Sequence, residues 1–487
     1  MKLLRDILYG VSIKSVLGMT DVNVKSIQFD SRKINVKDLF VAIRGVNVDG
    51  HDFINTAIEK GAIAIVHDKE LKKIVEGVVY VKVENPSKAL AIMASNYYNH
   101  PSNNLQLIGV TGTNGKTTVS TLLYDLFMSA GYKVGLISTV KIMVDNKKFN
   151  TTHTTPDSLL INYYLNEMSN LGVEFCFMEV SSHGIDQHRT KGLNFKGGIF
   201  TNLSHDHLDY HKTFSAYRDV KKSFFDGLPN TAFAILNTDD KNGHLMCQNT
   251  QAKVYTYALK SYADYRIQIL ENQFKGLLLK INDYEVWTKL IGAFNAYNLA
   301  AIFTCAHVLG LKSEEVLKLI SNLDSVNGRF EFFITESNVT VIIDYAHTPD
   351  ALKNILETIN DIRTKNERFI TVIGCGGDRD KTKRPKMGKI ASVLCSTVIF
   401  TSDNPRNEDP ELIISEMEKG VDSQNFNKII SITNRKQAIK TACKLACPGD
   451  IILVAGKGHE SFQDINGKKI HFNDIEVAQE CLKELQK

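Results

Sequence analysis

The chain of 487 residues lacks the features that mark several large classes of protein. Its eight cysteines never form a Cys-x-x-Cys pair, and a chain this long needs no disulfides to hold its core. The net charge is only +4, from 58 basic and 54 acidic residues, which argues against a nucleic-acid-binding protein with a concentrated basic face. Charges at Lys2, Arg5 and Asp6 interrupt the first apolar residues too early for a secretory signal. We therefore expect a reduced, soluble, cytoplasmic protein without a nucleic-acid partner.

Two further segments test this expectation. The stretch Leu290–Leu311 has no Asp, Glu, Lys or Arg and is long enough to span a bilayer, but Asn295, Asn298 and His307 lie inside it. A buried helix of a soluble domain is therefore predicted there, with no membrane insertion. Cys443 and Cys447 are one helical turn apart without nearby His or Cys, so both are expected to be core thiols.

Short apolar runs alternate with helical segments, which is typical of α/β domains with mostly parallel sheets. The clearest unit has a strand at Leu105–Val110, a Gly-rich turn and a helix at about Thr117–Ala130. Turn-rich segments at Val83–Asn104 and Thr335–Asn338 interrupt this pattern. The sequence therefore predicts three domains, at residues 1–104, 105–335 and 336–487.

The Gly-rich turn, Gly112–Thr118, reads Gly-Thr-Asn-Gly-Lys-Thr-Thr. Between a strand and a helix, such a turn directs backbone N–H groups and the helix dipole at phosphate oxygens. Lys116 would reach the β- and γ-phosphates, and the Thr117 hydroxyl would ligate Mg²⁺. The spacing between Gly112 and Gly115 is shorter than in the usual phosphate loop, but the strand–helix context still favours phosphate binding over an accidental turn.

A His-rich segment offers a competing interpretation. His205, His207, Asp209 and His211 alternate along the chain and resemble the zinc-binding run of β-lactamase-type metallohydrolases. That run has Asp directly followed by His, whereas Tyr210 intervenes here. A zinc hydrolase would also leave the phosphate loop without a purpose, although the alternative stays open.

A larger set of motifs is similar to the Mur ligases of peptidoglycan synthesis. In chain order they are Gly112–Thr118, Glu179-Val-Ser-Ser-His, Asn202-Leu-Ser-x-Asp-His207, Tyr217-x-x-x-Lys221, Gly292-x-Phe-Asn295-x-Tyr-Asn298, Gly328-Arg329-Phe-Glu and Asp344-Tyr-Ala-His-Thr-Pro349. Their order and spacing hold along nearly the whole chain. The resemblance implies an α/β fold with three domains: one for the UDP end of the substrate, a central P-loop ATPase domain and a C-terminal Rossmann-like domain.

The resemblance also implies roles for individual residues. Lys116, Glu179, His207 and Lys221 would be catalytic, and ATP and Mg²⁺ would be the cofactors. Glu179, His207 and Thr117 would ligate magnesium together with Lys221, whose amine would be carbamylated by CO₂ to N6-carboxylysine. Contacts to ATP are implied for Gly112, Thr113, Asn114, Gly115, Lys116, Thr117, Thr118, Asn295, Arg329 and Asp344.

Other segments resemble the family member that adds the third peptide residue to the UDP-N-acetylmuramoyl-dipeptide. Contacts to this substrate are implied for Ser31, Thr154, Thr155, Ser181, Gln187 and Arg189. Contacts to the incoming amino acid are implied for Arg379, Asp403, Asn404, Pro405, Arg406, Gly456 and Glu460.

The chemistry of Arg406 agrees with a particular amino acid. Meso-diaminopimelate carries a second carboxylate at its far end, and arginine offers a planar fork of two donors for it. The ammonium of lysine would be repelled by Arg406, whereas Glu460 would pair with the distal ammonium of diaminopimelate. The expected reaction is an ATP-dependent amide ligation through an acyl phosphate, carried out by a monomer.

Several alternatives remain open on the sequence alone. Meso-lanthionine presents the same distal groups as diaminopimelate, and a lysine-adding tripeptide synthetase or a folylpolyglutamate synthetase would share the ATPase. A nucleotide-binding switch is the non-enzymatic alternative. It is disfavoured because Glu179, His207 and Lys221 would add a cation site that binding alone does not need.

Overall fold

The computed structural model describes residues 1–45, 48–71, 73–151 and 153–487. The chain forms three successive α/β regions, each with its own main sheet, of five, eleven and six strands. Two clusters of buried apolar side chains accompany each of these sheets. In each region, successive residues of one strand belong to different clusters. Because successive side chains point to opposite faces of a sheet, both faces of each sheet are covered.

The N-terminal region has a sheet in the order β2-β7-β6-β5-β4, in which only β2 is antiparallel to its neighbour. Its strands are β1 (Lys2–Leu3), β2 (Ile13–Leu17), β3 (Asn23–Val24), β4 (Ile27–Gln28), β5 (Leu39–Val41), β6 (Ala64–His67) and β7 (Val79–Val83). Its helices are α1 (Leu4–Ile7), α2 (Ile54–Glu59) and α3 (Pro86–Tyr97), with 3-10 turns at Ser31–Lys33, Gly50–Phe53 and Pro101–Asn103.

The central region has the order β11-β10-β9-β12-β8-β13-β14-β15-β16-β17-β18, parallel from β9 to β16 and antiparallel at both ends. Its strands are β8 (Gln106–Thr111), β9 (Val134–Ile137), β10 (Ile142–Val144), β11 (Lys147–Phe149), β12 (Phe175–Glu179), β13 (Gly197–Phe200), β14 (Phe233–Asn237), β15 (Lys253–Ala258), β16 (Tyr265–Gln273), β17 (Gly276–Ile281) and β18 (Tyr284–Thr288). Its helices are α4 (Lys116–Ser129), α5 (Ser158–Asn170), α6 (Ser182–Asp186), α7 (Leu208–His211), α8 (Phe214–Asp226), α9 (Gly243–Met246), α10 (Ala293–Val308) and α11 (Ser313–Ile320).

The C-terminal region has the order β19-β20-β24-β21-β22-β23, parallel except for β19. Its strands are β19 (Glu331–Ile334), β20 (Thr340–Asp344), β21 (Phe369–Ile373), β22 (Thr397–Phe400), β23 (Ile429–Ser431), β24 (Ile451–Ala455), β25 (Phe462–Ile465) and β26 (Lys468–His471). Its helices are α12 (Pro349–Ile362), α13 (Lys383–Leu394), α14 (Pro410–Glu418), α15 (Arg435–Leu445) and α16 (Asp474–Glu484), with a 3-10 turn at Ser423–Lys428. The strands β25 and β26 form a separate hairpin.

Local sequence explains where several helices begin. Asn85 and Thr348 each accept a hydrogen bond from a backbone N–H of the first turn, and a proline follows each of them at the first helical position. The side chains of Asp157 and Thr213 cap α5 and α8 in the same way. These caps fix the start of α8, the helix that carries Lys221.

The segment Leu290–Leu311 contains the buried helix α10, as the sequence indicates. Within the described ranges, no helix is both long and apolar enough to cross a membrane. The prediction for the two cysteines is half wrong: Cys443 is buried in α15, but Cys447 is exposed. The helix ends at Leu445, so Cys447 lies in the turn beyond it rather than on its buried face.

Candidate active site

The phosphate-loop segment connects the end of β8 to the start of α4, which begins at Lys116. Gly112 has a φ of +152°, and a Cβ there would lie 1.9 Å from Thr201 Oγ1. Only glycine fits this close approach of the loop to the end of β13. Gly112 is therefore needed for the packing of the loop as well as for directing its backbone N–H groups towards a phosphate.

Hydrogen bonds to Thr201 and Asn202 hold the loop in place. Thr113 N donates to the Asn202 carbonyl (2.8 Å), and Asn114 N donates to Asn202 Oδ1 (2.9 Å). Thr201 Oγ1 donates to the Asn114 carbonyl (2.6 Å). Because β13 supplies these partners, the loop is preorganised without a nucleotide.

Two lysines converge on this loop. Lys116 Nζ donates to the carbonyls of Gly112 (2.9 Å) and Thr113 (2.7 Å), and Lys221 Nζ donates to the Gly112 carbonyl (2.8 Å). Burial lowers the pKa of Lys116, although the carboxylates of Glu179 and Asp206 oppose the shift. Burial, reinforced by the charge of Lys116, also lowers the pKa of Lys221 well below its usual range.

Lys221 and its neighbour Lys222 have different surroundings in the structure. Lys221 is 1 % exposed and lies 4.9 Å from the centre of the Tyr217 ring, whereas Lys222 forms an ion pair with Asp226 one turn further along α8 (2.8 Å). Tyr217 is itself fixed to the phosphate loop by a hydrogen bond between its hydroxyl and Thr113 Oγ1 (3.0 Å). The motif lysine is thus the one that faces the loop.

Glu179 ends β12 and is completely buried. Its carboxylate accepts hydrogen bonds from Thr139 N (2.6 Å) and Thr139 Oγ1 (3.1 Å). The Glu179 carbonyl accepts from Thr155 Oγ1 (2.8 Å), and Thr154 Oγ1 lies within hydrogen-bond distance of Thr139 Oγ1 (3.1 Å). Ser181 N donates to Thr155 Oγ1 (3.0 Å). The predicted catalytic carboxylate and three predicted substrate contacts therefore form one connected group.

Two more predicted substrate contacts join the same group. The Arg189 guanidinium donates to the Thr155 carbonyl. Two of its nitrogens also donate to Gln187 Oε1, at 2.6 and 3.1 Å. Gln187 in turn lies 3.4 Å from the Tyr210 hydroxyl. Ser31 is distant in sequence from these residues and is buried in the N-terminal region. Its carbonyl accepts a hydrogen bond from Lys60 Nζ (3.0 Å). Among the described residues, no hydrogen bond joins Ser31 to the group around Thr155.

His207 lies at the start of α7, opposite the phosphate loop. Its Nε2 is 3.4 Å from Asp206 Oδ2, and its ring is 4.9 Å from that of His183. Burial lowers the pKa of His207 well below its ordinary value. The ring is therefore neutral near pH 7, which is the form of imidazole that binds metal.

The segment between the central and C-terminal regions places an arginine at the phosphate loop. Arg329 donates to Thr117 Oγ1 (3.2 Å) and lies 4.5 Å from the centre of the Tyr345 ring. Asp344 accepts hydrogen bonds from the backbone of Phe330 and Ala346 (both 2.7 Å), and burial raises its pKa. In this state Asp344 thus holds the connecting segment; its predicted contact to ribose stays a prediction.

The start of α10 approaches the same loop. Asn298 Nδ2 donates to Asn295 Oδ1 (3.0 Å), and Asn295 Nδ2 donates to the Ile291 carbonyl (2.9 Å). Asn298 Oδ1 lies 2.6 Å from the position that a Cβ on Gly115 would take. Asn295, a predicted nucleotide contact, is therefore held next to the loop through Asn298.

The predicted amino-acid contacts meet at the carboxyl ends of β21, β22 and β24. Arg406 donates to the Gly377 carbonyl (2.5 Å). Beside Gly376, the position for a Cβ is 3.1 Å from an Arg406 nitrogen and 3.8 Å from Arg379 Cγ, so both arginines flank one point. Pro405 packs its carbonyl against Gly377. This side of the pocket carries positive charge.

A second part of this group is acidic. Asn404 Nδ2 donates to Glu460 Oε2 (2.8 Å). Asp403 lies against Gly456, where a Cβ would be 2.9 Å from Asp403 Oδ2. Asp403 Oδ1 is buried and receives no hydrogen bond within the described part of the chain. The predicted amino-acid contacts thus comprise two carboxylates and two guanidinium groups.

The metal-ligating capacity of the site is limited. Among the described residues, no group of three or more His, Cys, Asp or Glu side chains is placed to hold a metal ion. His205, His207, Asp209 and His211 are therefore not assembled into the zinc site of the hydrolase alternative. Glu179 and His207 could supply one carboxylate and one imidazole near the phosphate loop.

Comparison with known proteins decides the family. Three models match the chain: "Mur ligase family, catalytic domain" at residues 23–98, "Mur ligase middle domain" at 110–306 and "Mur ligase, glutamate ligase domain" at 328–458. A protein of Cytophaga hutchinsonii is 51% identical over 486 residues, which cover 99% of this chain and 100% of the relative. The chain belongs to the Mur ligase family. It is accordingly an ATP-dependent amide ligase, as the motifs predict.

Solved structures of Mur ligases have the same fold. A structure titled as a UDP-N-acetylmuramoyl-L-alanyl-D-glutamate–2,6-diaminopimelate ligase superimposes with a TM-score of 0.69 at 30% identity, covering 100% of this chain and 99% of that one. The MurF ligase of Thermotoga maritima in complex with ADP superimposes with a TM-score of 0.65 at 19% identity, covering 96% and 99%. The predicted three-part α/β architecture of the Mur ligases is confirmed.

Sequence reasoning missed some residues of this Mur ligase site. Thr201, which holds the phosphate loop, precedes the Asn202 motif and carries no signal of its own. Thr139, which donates to Glu179, lies in a loop between β9 and β10 that no motif marks. Lys457 was visible as part of Gly456–Glu460, but a lysine between glycines is ordinarily expected at the surface.

Proposed function

We propose that this Mur ligase joins meso-diaminopimelate, or an analogue such as meso-lanthionine, to UDP-N-acetylmuramoyl-L-alanyl-D-glutamate. The observation that carries the proposal is the group at the carboxyl ends of the strands, in which Arg379 and Arg406 flank Gly376 while Asp403 lies against Gly456 and Glu460 bonds to Asn404. Such a pocket fits a distal carboxylate and a distal ammonium on the same carbon. The Cytophaga hutchinsonii relative, named as the 2,6-diaminopimelate ligase, supports the assignment.

In the proposed reaction, the side-chain carboxylate of D-glutamate attacks the γ-phosphorus of ATP, and ADP leaves. An amine of diaminopimelate then attacks the acyl carbon, and inorganic phosphate departs with the formation of the amide. Lys116 and the N–H groups of the phosphate loop would stabilise the charge that develops on the transferred phosphoryl group. Arg329, which reaches Thr117, would sit beside the same phosphates.

Mg²⁺ would offset the negative charge of the phosphates when bound. Thr117, Glu179 and His207 are suitable ligands, since each lies at or near the loop and His207 is neutral. Two such ligands from His, Asp or Glu leave a cation short of negative charge. Lys221 without modification would supply none.

We propose that Lys221 supplies the missing anion as a carbamate. Its amine would attack CO₂ with loss of one proton, giving N6-carboxylysine. A buried amine with a lowered pKa is largely neutral and therefore nucleophilic, and Lys221 has no carboxylate partner among its hydrogen-bond acceptors in the described structure. Lys222, paired with Asp226, offers no such chemistry.

The three sheets support the proposed division into a UDP-binding, an ATPase and an amino-acid-binding domain near residues 1–104, 105–335 and 336–487. Ser31 would contact the UDP end, while Thr154, Thr155, Ser181, Gln187 and Arg189 would contact the dipeptide. All these groups belong to one chain, so we expect a monomer to be active. Closure of the domains around both substrates is expected to complete the site.

The experiment is ligation with purified protein, ATP, Mg²⁺, the UDP-muramoyl-dipeptide and a panel of diamino acids. We expect phosphate release only when both substrates are present, with diaminopimelate or lanthionine preferred over lysine. Preference for lysine would reject the amino-acid assignment. Stoichiometric zinc together with ATP-independent hydrolysis would reject the ligase itself.

A further inference from the structure

The amino-acid pocket contains a buried cation, Lys457, that the proposed reaction does not use. Lys457 follows β24, and its side chain is 0% exposed. Its Nζ donates to Asn404 Oδ1 (3.0 Å) and Glu460 Oε2 (2.9 Å), and it lies 3.6 Å from Asp403 Oδ1. All three partners belong to the group that is predicted to bind the amino acid.

The charges on the acidic side of the pocket leave room for one ammonium. Asp403 and Glu460 bring two negative charges, and Lys457 brings one positive charge. Behind them, Arg435 and Asp474 are both fully buried and neutralise each other through bonds of 2.7–2.8 Å. One negative charge therefore remains, which matches one distal ammonium group.

Lys457 also fixes the orientation of the Asn404 amide. Asn404 Oδ1 accepts from both Lys457 Nζ and Asp464 N (2.9 Å), so its Nδ2 must face Glu460. Both described hydrogen bonds to Glu460 fall on Oε2. The second oxygen, Oε1, is thereby left for a ligand, as is Asp403 Oδ1, which is buried and accepts no hydrogen bond in the described part of the chain.

We propose that Lys457 is a positioning residue for the distal amino group of the substrate. It holds Glu460 and Asn404 in the orientation that leaves Glu460 Oε1 for the substrate ammonium. It also keeps the acidic side of the pocket at a single negative charge. The inference rests on the proposed function, because it assumes a diamino acid in this pocket. Without Lys457, two carboxylates would face one ammonium in a site removed from water.

The test compares three amino acids in the wild type and in Lys457→Met, at saturating ATP and UDP substrate. They are meso-diaminopimelate, lysine and 2-aminopimelate, which keeps the distal carboxylate but lacks the distal amino group. We expect the KM for diaminopimelate to rise at least about tenfold with kcat within about threefold. The preference for diaminopimelate over 2-aminopimelate should fall by at least about tenfold, because Lys457 organises only the ammonium side.

The matched control is Lys468→Met, which removes an exposed lysine from the neighbouring hairpin. It should leave all three KM values within about twofold. A second variant, Lys457→Gln, keeps an N–H donor for Asn404 but loses the charge, and it should reduce the same preference.

A merely structural role predicts a different result. In that case kcat and the KM values for ATP and all three amino acids would change together, and the preference over 2-aminopimelate would stay constant. That outcome overturns the proposal, as does failure of both Lys457 variants to fold with wild-type ATP affinity. If the wild type prefers lysine, the proposed function fails, and the Lys457 proposal is judged on the KM for lysine, whose ammonium would occupy the same acidic side.

Discussion

The nucleotide end and the amino-acid end of this site handle charge in opposite ways. At the phosphate loop, Lys116 and Lys221 donate to backbone carbonyls, and burial together with the charge of Lys116 lowers the pKa of Lys221. In the C-terminal region, Lys457 and Arg435 are buried against carboxylates. The first arrangement suits incoming anions such as phosphates, whereas in the second each buried cation already has a carboxylate partner. Function at the nucleotide end should therefore be separable from stability, and at the amino-acid end much less so.

The largest effect on stability is expected for Arg435→Met. This change leaves Asp474 buried without its partner, and breaking a buried ion pair from one side costs about 3–5 kcal/mol of unfolding free energy. The measurement is urea denaturation followed by circular dichroism. Lys436→Met, which removes the neighbouring exposed partner of Glu480, should leave the denaturation midpoint unchanged. Equal midpoints for Arg435→Met and wild type would contradict the view that this region depends on its paired charges.

Arg406→Ala should damage the use of diaminopimelate far more than the binding of ATP or UDP substrate. Losing a fork that holds a desolvated carboxylate should cost about 2–5 kcal/mol, or roughly 30-fold to several thousand-fold in kcat/KM. Lysine should improve relative to diaminopimelate, because a repulsive group has been removed. Both amino acids are to be compared in both proteins at saturating ATP. A diaminopimelate value within about threefold of wild type would exclude Arg406 from recognition.

Lys221→Ala should lose roughly 10²-fold or more in turnover while keeping its stability, because Lys221 makes no ion pair in the described structure. Short carboxylic acids should restore part of the activity by replacing the carbamate. Lys222→Ala is the matched control: it removes a lysine that pairs with Asp226 and should retain nearly full turnover. Wild-type activity in Lys221→Ala would mark Lys221 as dispensable.

The smallest effect concerns His347, which lies between the two ends of the site. Burial lowers its pKa to about 4, so folding favours the neutral ring. The unfolded chain takes up the proton first as pH falls below about 6.5, and the stabilisation is lost between that pH and about 4. His347→Gln should therefore lose less stability than wild type between pH 7.5 and 5, by roughly 2 kcal/mol. Parallel pH profiles of the denaturation midpoint for the two proteins would refute this.

The sequence predicted the parallel core of the sheets well. The predicted strand Leu105–Val110 matches β8 to within one residue at each end, because the segment is mostly apolar. The antiparallel extension β16–β18 was missed. Most side chains of β16 and β18 are at least partly exposed, so the apolar signal is weak there.

Site residues were predictable only where a motif marked them. Apart from its spacing to Tyr217, nothing in the sequence distinguishes Lys221 from Lys222, since the difference depends on how α8 packs beside the phosphate loop. Lys457 shows the same limit: its burial follows from the approach of the loop after β24 to Asn404, which is distant in sequence. Such contacts arise from tertiary packing, and the local sequence pattern does not predict them.

The strand β19 has a consequence for exchanging amino-acid specificity between relatives. It pairs with β20 and so belongs to the last sheet, although it precedes the turn at 335–338. Cutting at residue 336 would strip β20 of its neighbour and expose a sheet edge prone to aggregation. Gly328 also packs tightly on the loop after β24, where a Cβ would lie 2.0 Å from His459 N. A chimaera should therefore be joined before Gly328, so that the arginine reaching the phosphate loop is inherited together with the pocket that selects the amino acid.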